Sequence, residues 1–318
     1  MIANWPMPFT VVVIGASGLL GRAIVKELAK EREWRIVPTA FRRASSEMTS
    51  LDICNAGEVV RFIDRETPHA VVIAAAERKP DVCELEPAHA HAINVVAVQN
   101  VAAAANRVNA WTLSISTDYV FDGTRPPYLA DDPPRPLNAY GRSKLLGERA
   151  LIDTARTGCV LRLPLLYGPI TNWQESAVTG LVPAVIASTA TAPATMDAWA
   201  IRYPTYTPDV AFVIRQLLAQ HLHGKTVSGI TQWSGDQPMT KYDIALHLAA
   251  ALQVEARLSP QRVPIDSTPR PRDCHLDSSC LEELGIGRRT PFEIAIRDVL
   301  RQLPESGSTG SAAQPSTR

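Results

Sequence analysis

Runs of β-branched residues alternate with helically spaced apolar residues through the first half of the chain. "FTVVVIG" (9–15) is a continuous buried-strand run, and in "LLGRAIVKELAKE" just after it Leu20, Ile24, Val25 and Leu28 recur at helical spacing. "WRIVPTAF" (34–41) and "HAVVIAAA" (69–76) predict further strands, with a helix over "AGEVVRFIDRE" (56–66) between them. The Ala- and Val-rich stretch 87–106 predicts one long helix. "AWTLSIS" (110–116) predicts a strand, "SKLLGERALIDTAR" (143–156) a helix and "CVLRLPLLYG" (159–168) another strand. Strands alternating with helices imply βαβ units with right-handed crossovers, hence an α/β fold built on a Rossmann-like, doubly wound parallel sheet.

Beyond about residue 168 the alternation becomes irregular. Amphipathic helices are predicted over 207–222, 241–252 and 291–303, joined by Pro-rich connectors. The expected organisation is a nucleotide-binding domain over 1–168, with segments returning from the C-terminal half, and a smaller α/β lobe over 169–303 that completes a cleft. The Ser/Gly/Pro-rich stretch 304–318 has nothing to bury and is expected to be disordered.

Composition narrows the classes of partner. Lys plus Arg (32) equals Asp plus Glu (32), so no overall field draws the chain to nucleic acid or anionic lipid. No apolar run approaches the ~20 residues needed to span a bilayer, and the start lacks a basic region and cleavage site, so a cytoplasmic protein is expected. Five scattered cysteines form no CxxC and are expected to be inert thiols. The pairs His89/His91 and His221/His223 have no third ligand nearby and read as helix-face residues rather than metal ligands.

The first chemistry lies in "VVVIGASGLLGRA", where Gly15, Gly18 and Gly21 stand between a strand and a helix. Glycines there allow a tight turn, close approach of a pyrophosphate and close helix–strand packing, while the helix N-terminus offers unpaired N–H groups. The plainer alternative is a Gly-rich turn without a ligand. At the end of the second strand, where an acid would hold a ribose 2′-hydroxyl, the chain has Arg42 and Arg43. An arginine fork suits a 2′-phosphate, so NADP(H) is expected rather than NAD. Two solvated arginines are the competing reading. Asp52, after a third strand, is a candidate adenine contact.

The second chemistry is "NAYGRSK" (138–144), with Tyr140 and Lys144 one helical turn apart, downstream of Ser116 and Thr117 in "SISTDYVFDG" (114–123). A hydroxyl, a phenol and an ammonium there could converge beside a nicotinamide. Lys144 is expected to lower the Tyr140 pKa toward neutrality, so that Tyr140 protonates a carbonyl oxygen held by Thr117 as hydride arrives. A surface YxxxK pattern is the alternative. Glu77, Arg78 and Lys79 are candidate cleft residues, and Trp233 a core or cleft-wall residue.

"STDYVFDG", "YGRSK" and "RPRDCHLD" (270–277) resemble the extended short-chain dehydrogenase/reductases, in the dTDP-4-dehydrorhamnose reductase family. Within it the chain is most similar to the regulatory β subunits of methionine adenosyltransferase, through "GASGLLGRA", "AFRRA", "AAERKPDV" (75–82), "DYVFDGTRPPY", "ESAVT" (175–179), "RYPT" (202–205), "WSGDQPMTKYDIA" (233–245) and "LGIGRRTPF" (284–292). The resemblance runs over about 9–303. It implies NADP(H), with Gly15, Ser17, Gly18, Leu19 and Leu20 around the diphosphate and Arg42 and Arg43 facing the 2′-phosphate. It places Ala75 and Ala76 on the adenosine side, Tyr140 and Lys144 at the nicotinamide ribose, and Leu163 beside the nicotinamide.

Departures from the family divide the functional expectation. A sugar-stacking Trp of the reductases is replaced by Leu165, and a Ser of the "RPxxSxL" element by Cys274; both argue against a dTDP-sugar substrate. Ser116-Thr117 matches the reductases, and the polar tail has no aromatic after Phe292 to anchor a partner. The leading expectation is an NADP-binding regulatory subunit that pairs with a methionine adenosyltransferase catalytic subunit, in S-adenosylmethionine biosynthesis. The alternative is an NADPH-dependent reductase of a nucleotide-sugar or other small carbonyl, with Thr117, Tyr140 and Lys144 catalytic.

Overall fold

The computed structural model describes residues 8–264 and 268–302. The stretch 304–318 expected to be disordered lies outside the described residues. In chain order the first half runs β1 (Phe9–Ile14), α1 (Leu19–Leu28), β2 (Trp34–Ala40), β3 (Thr49–Ser50), α2 (Ala56–Glu66) and β4 (Ala70–Ile73). It continues through α3 (Pro80–Leu85), α4 (Pro87–His91), a π-helical turn (Ala92–Val96), α5 (Ala97–Arg107), β5 (Trp111–Thr117), α6 (Ala139–Thr154) and β6 (Gly158–Leu163). The second half holds β7 (Leu166–Tyr167), α7 (Val182–Ala187), β8 (Ala194–Asp197), β9 (Thr205–Tyr206), α8 (Thr207–Leu222) and β10 (Gly229–Gln232). Last come α9 (Lys241–Leu252), β11 (Leu258–Gln261), α10 (Ser279–Glu282) and α11 (Phe292–Arg301).

Seven strands form one parallel sheet in the order β10-β6-β5-β4-β1-β2-β3, the α/β architecture expected. Alternation along β1 shows why its sequence is continuously apolar. Val11 and Val13 face a core built with α1 and α8, while Val12 and Ile14 face another built with α2 and α5. The strand order turns back on either side of β1, which opens a crevice beyond the C-terminal ends of β1 and β4.

Three elements differ from the sequence reading. The expected helix 87–106 is broken by the π-helical turn, where the Asn94 side chain reaches out to the chain after β4. The helix expected from 143 begins at Ala139, because the Asn138 side chain caps it by accepting the Gly141 N–H at 2.9 Å. The strand expected over 159–168 stops at Leu163; Pro164 supplies no N–H, and β7 pairs with β9 instead.

Beyond the sheet, β7–β9 and β8–β11 form two small parallel pairs. Tyr167, Val178, Val182, Ile244, Leu248, Phe292 and Ile296 make a separate apolar cluster, against which Leu19 and Leu165 pack. The cluster therefore sits against the start of α1. β10, from the same half of the chain, joins the edge of the main sheet beside β6.

Candidate functional site

The turn after β1 is shaped by two glycines for internal reasons. Gly15 has φ +83°, and its N–H and that of Ala16 donate to Thr39 O at 3.0 and 2.9 Å, fastening the turn to the end of β2. A Cβ on Gly15 would lie 2.7 Å from the Ala75 nitrogen, and one on Gly21 only 2.1 Å from Gly15 O. Gly18 is different. It has ordinary φ of −78° and precedes α1 without a side-chain cap, and no acidic residue stands in the first turn. The helix thus presents a bare N-terminus to the crevice, a setting that suits a phosphate and would be crowded by a side chain. Ser17 O accepts the Arg22 guanidinium at 2.9 Å; Leu20 is buried in the main core.

Arg42 and Arg43 follow β2, both exposed, and among the described residues neither forms an ion pair. Asp52 follows β3, where its Oδ1 accepts the Cys54 N–H at 2.9 Å. At the end of β4, Ala75 lies half-buried against Gly15 and Ala76 is exposed. Glu77 is held by an amide that residue spacing does not single out. Asn94, fully buried, accepts the Glu77 N–H at 2.9 Å and donates to Glu77 O at 3.0 Å and Ser143 Oγ at 2.9 Å. An amide between Ile93 and Val95, in an Ala/Val-rich stretch, is the available signal. Arg78 and Lys79 are exposed on this side.

Thr117, Tyr140 and Lys144 come together at the C-terminal end of β5. The first turn of α6 passes so close to the chain after β5 that a Cβ on Gly141 would meet Tyr119 O at 2.2 Å. That approach sets the Tyr140 ring edge-on to Tyr119, with centroids 5.9 Å apart. The Thr117 hydroxyl donates to Asp118 Oδ1 at 3.1 Å. Lys144 is buried, and its Nζ donates to Ile115 O at 2.7 Å. Ser116 does not join them: its hydroxyl donates to Glu148, in a separate buried network.

The expected electrostatics are reversed. Burial pushes the Tyr140 phenol above its ordinary range, Asp118 and Cys83 reinforce the shift, and a hydrogen bond with Thr117 opposes it. Burial also pushes Lys144 down to about 8, against Glu148 and Cys83. Residue spacing reports the ammonium's charge but not desolvation, which disfavours both charged forms and is the larger effect here. Asp118 is likewise pushed up by burial, to about 6, with Arg202 and Thr117 opposing. Arg202 is itself buried; its guanidinium donates to Pro271 O at 3.1 Å and lies over the Tyr119 ring.

Leu163 is buried at the end of β6, and Leu165 is half-buried against the apolar cluster of Tyr167 and Phe292. Cys274 is buried with Phe121, Tyr128 and Leu276, its thiol donating to Phe121 O at 3.5 Å, so it fills core. Trp233 is a core residue, 4.1 Å beneath the Arg289 guanidinium. The histidine pairs belong to no cluster able to hold a metal among the described residues. All five cysteines are free thiols, Cys54 and Cys280 exposed. No helix among the described residues is long and apolar enough to cross a membrane.

Comparison with known proteins extends this geometry. The model of the family described as RmlD substrate binding domain matches residues 9–304. The methionine adenosyltransferase 2 subunit beta of Xenopus tropicalis is 43% identical over 291 residues, covering 91% of this chain and 86% of that protein. A dTDP-4-dehydrorhamnose reductase of Aggregatibacter actinomycetemcomitans is 33% identical over 74% of this chain and 76% of its own length. Among solved structures, the dTDP-4-dehydrorhamnose reductase of Bacillus anthracis in complex with NADP superposes with a TM-score of 0.81 at 26% identity, covering 93% of this chain and all of that one.

Proposed function

The chain belongs to the RmlD substrate binding domain family, and on that premise we propose that it is an NADP-binding regulatory β subunit of a methionine adenosyltransferase, acting in S-adenosylmethionine biosynthesis in the cytoplasm. One observation carries the reading: the likeness to a protein of that name runs through 91% of the chain, well past the nucleotide-binding half. Co-elution with a catalytic adenosyltransferase subunit of the same organism tests it. Association is expected, tightened by NADP; no association with or without the cofactor would overturn it.

The cofactor assignment rests on the bare N-terminus of α1 and the unpaired Arg42 and Arg43. Gly15, Ser17, Gly18, Leu19, Leu20 and Gly21 would enclose the diphosphate, and the two arginines the 2′-phosphate. Asp52, Ala75 and Ala76 would flank the adenosine, Tyr140 and Lys144 the nicotinamide ribose, and Leu163 the nicotinamide. In a reaction, a bound nicotinamide dinucleotide would supply or accept hydride.

The convergence of Thr117, Tyr140 and Lys144 supports a second reading, an NADPH-dependent keto-sugar reductase of the dTDP-4-dehydrorhamnose type. In it Thr117 would hold a carbonyl oxygen and Tyr140 deliver the proton. Burial disfavours the phenolate, so Tyr140 keeps its proton at neutral pH, while the raised pKa makes it a weaker acid than an ordinary phenol. NADPH oxidation with dTDP-4-keto-6-deoxyhexoses tests this reading; turnover abolished by Tyr140→Phe supports it, and no turnover by the unmodified protein removes it.

A further inference from the structure

Behind the Tyr–Lys pair lies a charged network with no part in the chemistry above. Glu148 is one turn beyond Lys144 on α6 and is buried, as is Arg162 on β6. The Arg162 guanidinium donates twice to the Glu148 carboxylate, at 2.9 and 2.8 Å, and once to Ala130 O at 3.1 Å. The Ser116 hydroxyl completes the carboxylate's shell. The backbone beside Ser116 is the Ile115 carbonyl that receives Lys144 Nζ at 2.7 Å. One carboxylate therefore ties together β5, α6 and β6, the elements that carry Thr117, the Tyr–Lys pair and Leu163.

Burying an ion pair is costly, and an apolar pair of equal volume would commonly serve stability as well or better. That invites a role beyond folding. A lysine with almost no solvent keeps its charge only if a carboxylate stands near it. The groups acting on Lys144 are few: Glu148 on its own helix and Cys83 on α3, a thiol that burial holds protonated. Tyr140 on α6 is also held protonated, and β5 offers the neutral Ile115 carbonyl. Among the described residues Glu148 is thus the carboxylate that acts on Lys144, with the Arg162 guanidinium paired to it offsetting part of that action.

We infer that Glu148 is the positioning residue for Lys144, fixing the ammonium charged and moored to Ile115 O so that it can donate to the nicotinamide ribose. This rests on the dinucleotide reading proposed above. Its consequence is specific to pH. NADPH affinity declines as Lys144 loses its proton, and removing the Glu148 carboxylate moves that decline to lower pH.

The test is NADPH affinity by calorimetry between pH 6.5 and 9.5 on the full chain and three variants. The unmodified chain is expected to lose about tenfold in affinity across the alkaline limb, the scale of one charge-assisted hydrogen bond. In Glu148→Gln the midpoint is expected at least about one pH unit lower, the effect of one neighbouring opposite charge. Glu148→Asp is expected to return it toward the original value, and Lys144→Met to abolish the limb. Should Glu148→Gln not fold, Glu148→Gln/Arg162→Gln removes the buried pair together, and a smaller downward shift is expected because the Arg162 charge leaves with the carboxylate. Superimposed midpoints for the unmodified chain and either Gln variant overturn the inference while leaving NADPH binding intact. No NADPH binding by the unmodified chain at any pH overturns the dinucleotide reading itself.

Discussion

The Arg22 guanidinium holds both carboxylate oxygens of Glu175, at 3.1 and 2.7 Å, across a sequence separation of 153 residues. The same guanidinium donates to Ser17 O in the glycine turn and to Pro169 O just past β7. One arginine in the first turn of α1 therefore fastens the diphosphate turn to the start of the second half of the chain. Burial alone would raise the Glu175 pKa, but the Arg22 hydrogen bonds and the Thr171 N–H outweigh it and hold it below the usual carboxylate range.

Glu175→Ala is expected to cost about 1.5–3 kcal/mol, the worth of hydrogen bonds to a charged group. A carboxyl depressed in the fold stabilises it fully above its unfolded pKa of about 4.3, and that contribution disappears as pH falls through the folded value. Urea unfolding should therefore show the unmodified chain and the variant well separated at pH 7, converging below pH 4.

Gly21→Ala is expected to prevent normal packing of α1 on β1. Its Cβ would stand 2.1 Å from the Gly15 carbonyl oxygen, an encounter between two fixed backbones. Gly224→Ala is the control: φ of +74° strains it, but nothing lies within 4 Å. A loss of about 1–2 kcal/mol is expected there, against loss of soluble folded protein for Gly21→Ala, as read by circular dichroism.

Arg42→Ala combined with Arg43→Ala is expected to weaken NADP binding by about tenfold to a hundredfold, with NAD binding unchanged. Both side chains are exposed and form no ion pair among the described residues, so thermal stability in the absence of nucleotide should move by less than about 0.5 kcal/mol. Equal weakening of NADP and NAD would contradict the 2′-phosphate assignment.

Asn94→Ala is expected to cost about 2–3 kcal/mol, because it strands the buried Glu77 N–H and removes the amide donated to Glu77 O, while the Ser143 hydroxyl keeps its bond to Tyr140 O. Hydrogen exchange at the Glu77 amide should accelerate before the rest of the sheet loosens. Asn94→Asp retains an acceptor for the Glu77 N–H but loses both donors, so it should be intermediate in exchange.

Regular elements were legible wherever periodicity and end signals agreed. The helices expected over 56–66, 207–222 and 241–252 have those bounds in the structure, α2 capped by Asn55 and α9 by a Thr240–Asp243 capping box. The structure departs from periodicity where a side chain bonds outside its own element. Asn94 interrupts an otherwise helical stretch, and Ser116 is drawn to Glu148 away from Thr117. The Tyr140 assignment shows the same limit: spacing placed the phenol beside Lys144, yet spacing holds no information about desolvation.

By itself the sequence determined the alternation of buried strands and amphipathic helices, the glycine turn with its following arginines, and the placement of Tyr140 and Lys144 on one helix face. These are short-range properties, set by side-chain period, backbone freedom and the chemistry of neighbouring residues. Tertiary structure alone decided which charges are buried, that Glu148 faces Arg162, and that Arg22 closes the glycine turn onto Glu175. Those outcomes depend on long-range packing and on the loss of water around each group, and neither is written in the spacing of residues along a chain.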